Sequence, residues 1–146
     1  MKISKLNHMS LRPYGRIIDA KCVKGAGGGN EFGILIKEKA RGWRIGYLIV
    51  REKIMKRLEN HSDSLEKFEP VMGRAVIGLS PNKNPNKIKF FFLDNPIIVK
   101  KGVWHEVAAI SRKAEIKIFE NIEVRTKYYP LDVTCAVEGR RVNYEG

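Results

Sequence analysis

The chain has 146 residues, of which 43% are hydrophobic and 30% are charged, and its formal net charge is +12. This length predicts a single domain over residues 1–146, with a core that needs no disulfide or metal to hold it together. No apolar stretch reaches the roughly 18 residues that span a bilayer, and the N-terminus lacks the apolar core of a signal peptide. We therefore expect a cytoplasmic protein with no membrane partner.

The positive charge raises the question of nucleic-acid binding, because a basic field attracts polyanions. Lysine and arginine are nevertheless scattered and interleaved with acids, as in Arg51, Glu52 and Lys53, and no basic block or nucleic-acid motif occurs. We interpret the charges as solvated strand faces and expect a small-molecule substrate rather than nucleic acid. Many Lys, Glu and Ile residues with few Gln are also typical of thermophile proteins.

Two cysteines, Cys22 and Cys135, lie far apart in the chain and in no metal-type spacing, so we predict free thiols in a reducing compartment. In the first segment Pro13 and Gly15 interrupt the apolar residues, which predicts a short helix or loop before a first strand over residues 15–19.

The glycine-rich stretch over residues 24–30 could cradle a phosphate only between a strand and a helix, with Lys-Ser or Lys-Thr after its last glycine. Glu31 follows it instead, so we interpret this stretch as a flexible loop. The next segments, residues 32–37 and 41–51, are predicted to be strands. The second carries apolar side chains on both faces, which predicts that both are covered: Trp43, Ile45, Tyr47 and Ile49 on one face, Leu48 and Val50 on the other.

Residues 53–60 fit a helix as well as a strand, and we take the strand interpretation because the segment leads directly into the histidine-bearing stretch 59–73. A strand places alternate side chains on one face, which here are Met55, Arg57, Glu59 and His61.

After Gly73 the chain is a series of short apolar segments separated by Gly, Pro and Asn, which predicts an all-β sandwich or barrel. The tail after Pro130 is polar, and there is no repeat, linker or second domain. The predicted strands cover residues 74–79, 87–93, 97–100, 103–110, 114–120 and 122–128.

Histidine is scarce in this chain, and two of its three histidines have chemically suggestive surroundings. His61 is followed by Glu66, and His105 comes about forty residues later, whereas His8 has no comparable neighbours. Imidazole and carboxylate together suit zinc, manganese, iron or nickel, and barrel strands can bring such residues together. Glu59 could be a further ligand or a general base.

Without a metal, His61 or His105 beside a carboxylate could perform acid–base catalysis. The non-functional alternative is that His61 lies in a polar turn and His105 packs against Trp104.

The stretch 59–73 resembles the first motif of the cupin superfamily, in which two histidines one residue apart precede a glutamate and a glycine. His61 matches the second histidine, Glu66 the glutamate and Gly73 the glycine, while Glu59 stands in place of the first histidine. Residues 102–105 resemble the second motif, with His105 as its histidine; Lys100 stands where that motif usually has proline. The resemblance implies a single jelly-roll barrel, or double-stranded β-helix, with little helix.

Within the cupins the chain is most similar to the ureidoglycolate lyase family, over about residues 11–120. The matching stretches are Tyr14-Gly15-Arg16-Ile17-Ile18-Asp19, Leu58-Glu59-Asn60-His61, Phe68-Glu69-Pro70 and Val103-Trp104-His105. That family typically has glutamine at the position of Glu66 and histidine at that of Glu106. The resemblance implies a carbon–nitrogen lyase that gives glyoxylate and urea, and a homodimer.

In this interpretation His61, His105 and Glu66 are catalytic, and with Glu59 they are the metal ligands. A basic group would hold the substrate carboxylate through charge-assisted hydrogen bonds, and Arg57 and Lys101 are the candidates, with Trp104 beside them. The alternatives are a metal-binding cupin that binds a sugar or another small molecule without turnover or with different chemistry such as isomerisation, and a basic nucleic-acid-associated module.

Overall fold

The computed structural model describes residues 1–24 and 29–146. Its strands form two antiparallel sheets, and helix is confined to α1 (His8–Leu11) and a 3-10 turn over Ala20–Cys22. One sheet has the order β1-β7-β4-β9-β2 and the other β11-β10-β3-β8-β5-β6. Since neighbours in the sheets are mostly distant in sequence, the two sheets are wound together as a jelly roll, which confirms the predicted all-β fold.

The five-stranded sheet contains β1 (Gly15–Ile17), β2 (Trp43–Val50), β4 (Glu66–Met72), β7 (Ile97–Val99) and β9 (Ala114–Asn121). The six-stranded sheet contains β3 (Ile54–His61), β5 (Ala75–Ser80), β6 (Lys89–Phe92), β8 (Trp104–Ala109), β10 (Thr126–Glu138) and β11 (Arg141–Glu145).

A first apolar cluster lies between the sheets, because it takes buried residues from both: Phe68 and Ile116 from one, Ile77 and Val107 from the other. A second cluster covers the opposite face of the six-stranded sheet. Successive residues of one strand therefore pack in different clusters, Val107 in the first and Ala108 in the second. Such a two-faced sheet explains why β5 is buried at every position.

The register of β10 on β3 shifts between Pro130 and Cys135, so the two strands are irregular at this point. Glu59 and His61 remain on one face, two residues apart, but Met55 is buried in the second cluster together with Leu58. The prediction that Met55 shares a face with Glu59 and His61 is therefore wrong, because the irregularity interrupts the alternation.

Several elements differ from the prediction. Residues 29–42 form no strand, so the strand predicted over 32–37 is wrong; Phe32 is 87% exposed, and no neighbouring strand offers this segment a hydrogen-bonded partner. The sequence pattern also missed β4 and β11 and ended β10 ten residues early. The stretch 24–30 lies mostly outside the described residues.

The edge strand β2 is apolar on both faces, but only one face is covered. Trp43, Ile45, Tyr47 and Ile49 are 44–69% exposed, whereas Leu48 and Val50 face the first cluster. The expectation that both faces of β2 are covered is therefore wrong for the single chain. We call these four exposed side chains the outer β2 stripe.

Cys22 and Cys135 are free thiols, as predicted. Among the residues the structure describes, no helix is both long and apolar enough to cross a bilayer.

Candidate metal centre

The faces that the sheets turn toward each other change from apolar to charged along the barrel. On β9, Ile116 and Ile118 pack in or against the first cluster, and Glu120 follows on the same face. On β4, Phe68 is in the cluster and Glu66 precedes it on the same face. At the charged end lies a group that we call the mouth cluster: Glu59, His61, Glu66, His105 and Glu120.

Backbone contacts bring β3 and β8 together at this end. Glu59 lies directly opposite His105 in the sheet. The buried Asn60 side chain donates to Gly102 O at 2.6 Å, and Gly102 N donates to His61 O at 2.8 Å. Gly102 has φ +78°, a conformation that favours glycine, so the turn before β8 can bring its amide to the end of β3.

The turn between β3 and β4 sets Glu66 beside His61. The Ser64 hydroxyl accepts from Asn121 N at 3.0 Å, and Asn121 Nδ2 donates to Asp63 O at 3.0 Å. This turn is therefore bound to the end of β9, which explains how Glu120, more than fifty residues from Glu66, joins the same group.

The contacts within the mouth cluster converge on one carboxylate oxygen. Glu66 Oε2 lies 2.8 Å from His105 Nε2 and 3.2 Å from His61 Nε2, and Glu59 Oε2 lies 3.8 Å from His61 Nε2. The side chains of His61, Glu66 and His105 are only 6–7% exposed, whereas that of Glu59 is 32% exposed. Solvent therefore reaches the cluster on the Glu59 side.

Each imidazole is oriented through its other nitrogen. His105 Nδ1 lies 3.0 Å from Val103 O, and because a carbonyl only accepts, Nδ1 must carry a proton and donate. In the neutral ring Nε2 then has the free lone pair. His61 Nδ1 is 3.2 Å from the Thr126 hydroxyl, and the edge of Phe68 supports the His105 ring.

The electrostatics of this group favour charged forms in spite of burial. Burial raises the pKa of the Glu66 carboxyl, but the contacts with His105 and His61 outweigh it and lower that pKa to about 2. Burial lowers the pKa of His61 and of His105, yet contact with Glu66 raises each pKa above its ordinary value. The carboxylate and the imidazoles thus stabilise one another.

The donor set fits a divalent metal. Glu66 Oε2 and His105 Nε2 are only 2.8 Å apart, yet neither has a well-directed hydrogen bond within the described residues. The two atoms attract each other as an ion pair, but without a well-directed hydrogen bond each can still bind a third partner such as a metal ion. Ligands bound to zinc at 2.0–2.2 Å lie roughly 3.3–3.6 Å from one another in a tetrahedron. Glu66 Oε2 is near this spacing from His61 Nε2, at 3.2 Å, whereas its 2.8 Å distance from His105 Nε2 would have to lengthen.

Two overlapping triads meet the distance requirement for a metal, with all ligand atoms within 4.8 Å: Glu59 with His61 and His105, and Glu120 with His61 and Glu66. The four metal ligands predicted from the sequence therefore lie together. Glu120 was missed, since its sequence neighbourhood carries no histidine and resembles the other strand ends.

The other predicted site residues lie in different surroundings. Arg57 stacks over the Tyr128 ring, with its guanidinium 4.2 Å from the ring centroid, two residues from Glu59. Lys101 pairs with Glu38. Trp104 points to the second cluster, where its indole donates to Asn82 O at 3.1 Å. Of the three, Arg57 is on the same strand as Glu59 and His61, whereas Lys101 and Trp104 have partners outside the mouth cluster.

Glu106, adjacent to His105, faces a cleft lined also by Arg57, and its pKa is raised by burial. Its side chain accepts from Val107 N at 2.9 Å.

A second group with metal-binding residue types, His8 with Asp19 and Cys22, lies near the surface, although the sequence had suggested no such neighbours for His8. His8 Nε2 is 3.0 Å from Asp19 Oδ2, and the Cys22 thiol also donates to Asp19. These atoms satisfy one another, unlike those of the mouth cluster.

No protein-family model matches the chain, and no curated protein matches it. Among solved structures, a dTDP sugar isomerase from Desulfovibrio desulfuricans G20 aligns with 82% of this chain and 87% of its own, at 16% identity and a TM-score of 0.56. Procruciferin, an 11S globulin of Brassica napus, aligns with 58% of this chain and 22% of its own, at 10% identity and a TM-score of 0.49. A cupin 2 domain-containing protein from Halorhodospira halophila aligns with 65% and 62%, at 13% identity and a TM-score of 0.46.

At these identities the likeness to the isomerase concerns the fold alone. Together with the two wound antiparallel sheets, it confirms the predicted all-β jelly roll.

Proposed function

We propose that the chain binds one divalent metal ion through His61, Glu66 and His105, with Glu59 at the open side, and that this centre acts on a small molecule. The observation that carries the proposal is the pair of buried atoms, Glu66 Oε2 and His105 Nε2, that lie 2.8 Å apart without a well-directed hydrogen bond. Zinc is the ion we would test first, because two imidazoles and a carboxylate are common zinc ligands.

The bound ion would supply Lewis-acid chemistry, making a ligand hydroxyl more acidic. The chain's own contribution is then positioning and proton transfer. Glu59 is the partly exposed carboxylate of the cluster, so it is the residue suited to accept a proton from a ligand that enters at the mouth. Arg57, held over Tyr128, is the predicted cation on that side.

As the specific reaction we propose the cleavage of ureidoglycolate, on the basis of the motif resemblance. The substrate hydroxyl loses its proton to Glu59, the carbonyl of glyoxylate forms, and the carbon–nitrogen bond breaks. The leaving nitrogen takes the proton up, so urea and glyoxylate are released with no net change in protons.

Zinc-loaded protein is expected to release glyoxylate from ureidoglycolate faster than the buffer alone. Glu59→Gln should lower kcat by about 100-fold or more, because the base is lost while His61, Glu66 and His105 remain. Glyoxylate is measured by reaction with phenylhydrazine, and zinc content is measured in the same samples. A wild-type rate equal to the buffer blank would remove the lyase assignment and leave the metal site to be judged by itself.

The second candidate is metal-independent acid–base catalysis, as in an isomerisation. Glu66 beside His105 is a carboxylate–imidazole pair that raises the pKa of the histidine, which suits proton transfer near neutral pH. The isomerase with the related fold suggests a dTDP sugar as the first compound to test. Turnover that survives complete removal of metal would favour this alternative.

We also propose that the chain forms a homodimer through the outer β2 stripe. These four large side chains lie on an edge strand, and no strand in the described part of the chain pairs with its outer edge. An edge strand can pair antiparallel with its own copy, and a two-fold dimer uses the same surface on both subunits. The four side chains expose on the order of 400 Å² per chain, a substantial part of the area that a specific dimer buries.

Ile45→Glu should convert the dimer to a monomer, because each interface would then bury two unpaired carboxylates. Analytical ultracentrifugation at micromolar concentration measures the change. Met9→Glu is the matched control, since Met9 is 85% exposed on α1, outside the stripe. A wild-type chain that sediments as a monomer, or an Ile45→Glu variant that still dimerises, contradicts this interface.

A further inference from the structure

Arg44 forms an ion pair with Glu120, the one member of the mouth cluster that the proposed metal site does not use. They lie directly opposite each other on β2 and β9. Their side chains point to the space between the sheets, because Leu48 and Ile118, on the same faces, pack against the first cluster. The pair therefore lies at the charged end of the barrel rather than on its outer surface.

The contact uses only part of the arginine. Arg44 Nε is 3.0 Å and Arg44 Nη2 is 2.8 Å from one oxygen of Glu120, Oε1. The guanidinium has five N–H donors in a planar fork, so others remain for a second acceptor. The Arg44 side chain is 52% exposed, whereas that of Glu120 is 12% exposed. An entering molecule would thus meet the cation first.

The same pair reaches the proposed metal ligands. Glu120, His61 and Glu66 each offer an atom within 4.8 Å of the others. Two of the buried cluster atoms, Glu66 Oε2 and His105 Nε2, still lack a well-directed partner within the described part of the chain. A molecule with both a ligand oxygen and an anionic group could therefore contact the buried centre and Arg44 together.

The next position on the face of β2 that carries Arg44 has no side chain. Gly46 is the next residue on the same face of β2, and a Cβ built there would come no nearer than 3.9 Å to any atom, the closest belonging to Ile118. A larger residue at this position would extend from the face of β2 that also carries Arg44.

We infer that Arg44 and the space over Gly46 form a subsite for the carboxylate of a small hydroxy acid. When no ligand is bound, the Glu120 carboxylate takes the place of the ligand carboxylate on the Arg44 guanidinium. Arginine suits this role because its fork matches a carboxylate in two parallel hydrogen bonds. The inference rests on the proposed function in that it names the substrate class of the same centre. It adds a cation, Arg44, on the opposite sheet from Arg57.

The test is calorimetric titration with glycolate of protein saturated with zinc. Arg44→Gln should raise the Kd for glycolate at least tenfold, with Arg44→Lys falling between it and wild type. Gly46→Val should also weaken glycolate binding, because it fills the space without removing a charge. Arg41→Gln, an exposed arginine three residues earlier, is the matched control and should leave the Kd unchanged.

Glu120→Gln separates this role from a structural one. If Glu120 competes with the ligand for Arg44, neutralising it should tighten glycolate binding several-fold. If the pair only joins β2 to β9, the same change should weaken binding or leave it unaltered, and this result would overturn the proposal. An unchanged Kd in Arg44→Gln would overturn it as well.

Zinc binding is measured first in every variant, so the two proposals fail separately. Zinc bound without any glycolate binding refutes the subsite and leaves the metal centre standing. A chain that takes up no zinc refutes the metal centre. Titration of that metal-free protein with glycolate then tests the subsite by itself. Binding that Arg44→Gln weakens supports the subsite, and the absence of such binding refutes it.

Discussion

Replacing both His61 and His105 with alanine is expected to abolish tight zinc binding. Loss of a residue that only orients a metal ligand typically costs 10–100-fold in affinity, so loss of two ligands should cost well over about a thousandfold. Equilibrium dialysis of the purified protein against buffered zinc measures the change. The ring centroids of the two histidines are 5.1 Å apart, so the double variant removes two neighbouring donors from one site.

His8→Ala is the matched control. Among the described residues, His8 belongs to a separate group with metal-binding residue types, together with Asp19 and Cys22. This replacement should leave the tight site intact. Glu66→Gln is a milder variant that keeps the shape of the side chain while removing its charge, and it introduces the residue typical of the lyase family. Undiminished zinc binding in the double variant would refute the proposed site.

Zinc affinity is expected to fall as the pH is lowered. The pKa of each histidine is raised by Glu66, so protons compete with zinc at a higher pH than for an ordinary imidazole. Affinity should therefore begin to fall above pH 6.5 as the solution is acidified. Glu66→Gln removes the cause and should move this fall to lower pH.

Gly73→Ala is expected to cause a large loss of stability. Gly73 has φ +73°, which L residues rarely adopt, and an added Cβ would lie 2.2 Å from Lys113 O. Strain and overpacking together should cost at least about 3 kcal/mol. Urea denaturation followed by tryptophan fluorescence measures the free energy of unfolding.

Gly139→Ala isolates the backbone contribution to that loss. Gly139 also has positive φ, +58°, but a Cβ there would meet nothing within 4 Å. The expected cost is about 1–2 kcal/mol, from the left-handed conformation alone. Equal losses in the two variants would mean that the turn after β4 moves away from Lys113 and that the close contact is not a constraint.

The sequence could predict those parts of the fold and the site that depend on local patterns. Three consecutive phenylalanines mark the strand predicted over residues 87–93, and the structure has a strand over Lys89–Phe92. The convergence of His61, Glu66 and His105 could be expected from their chemistry and from the motif resemblance. β4 could not be recognised because it contains Glu66, Glu69 and Pro70, whose polarity and missing amide suggest a turn.

The remaining errors arise where distant segments decide the outcome. Glu120 joins the mouth cluster through the contacts of Asn121 with the turn at Ser64, which no local pattern reveals. The segment 32–37 has the apolar composition of a strand, but composition cannot supply a neighbouring strand. Met55 fails the alternation for a similar reason, since the register shift lies opposite it in β10.

The change from apolar to charged side chains along the barrel interior has a consequence for saturation mutagenesis. A screen that scores soluble yield should tolerate many substitutions at Arg44, Glu59 and Glu120 while rejecting polar residues at Phe68, Ile116 and similar inward positions. A screen that scores ligand or metal retention should reverse the pattern at the first three. The boundary between positions sensitive in one screen and positions sensitive in the other would fall within single strands. It would separate residues only two apart, such as Glu66 and Phe68.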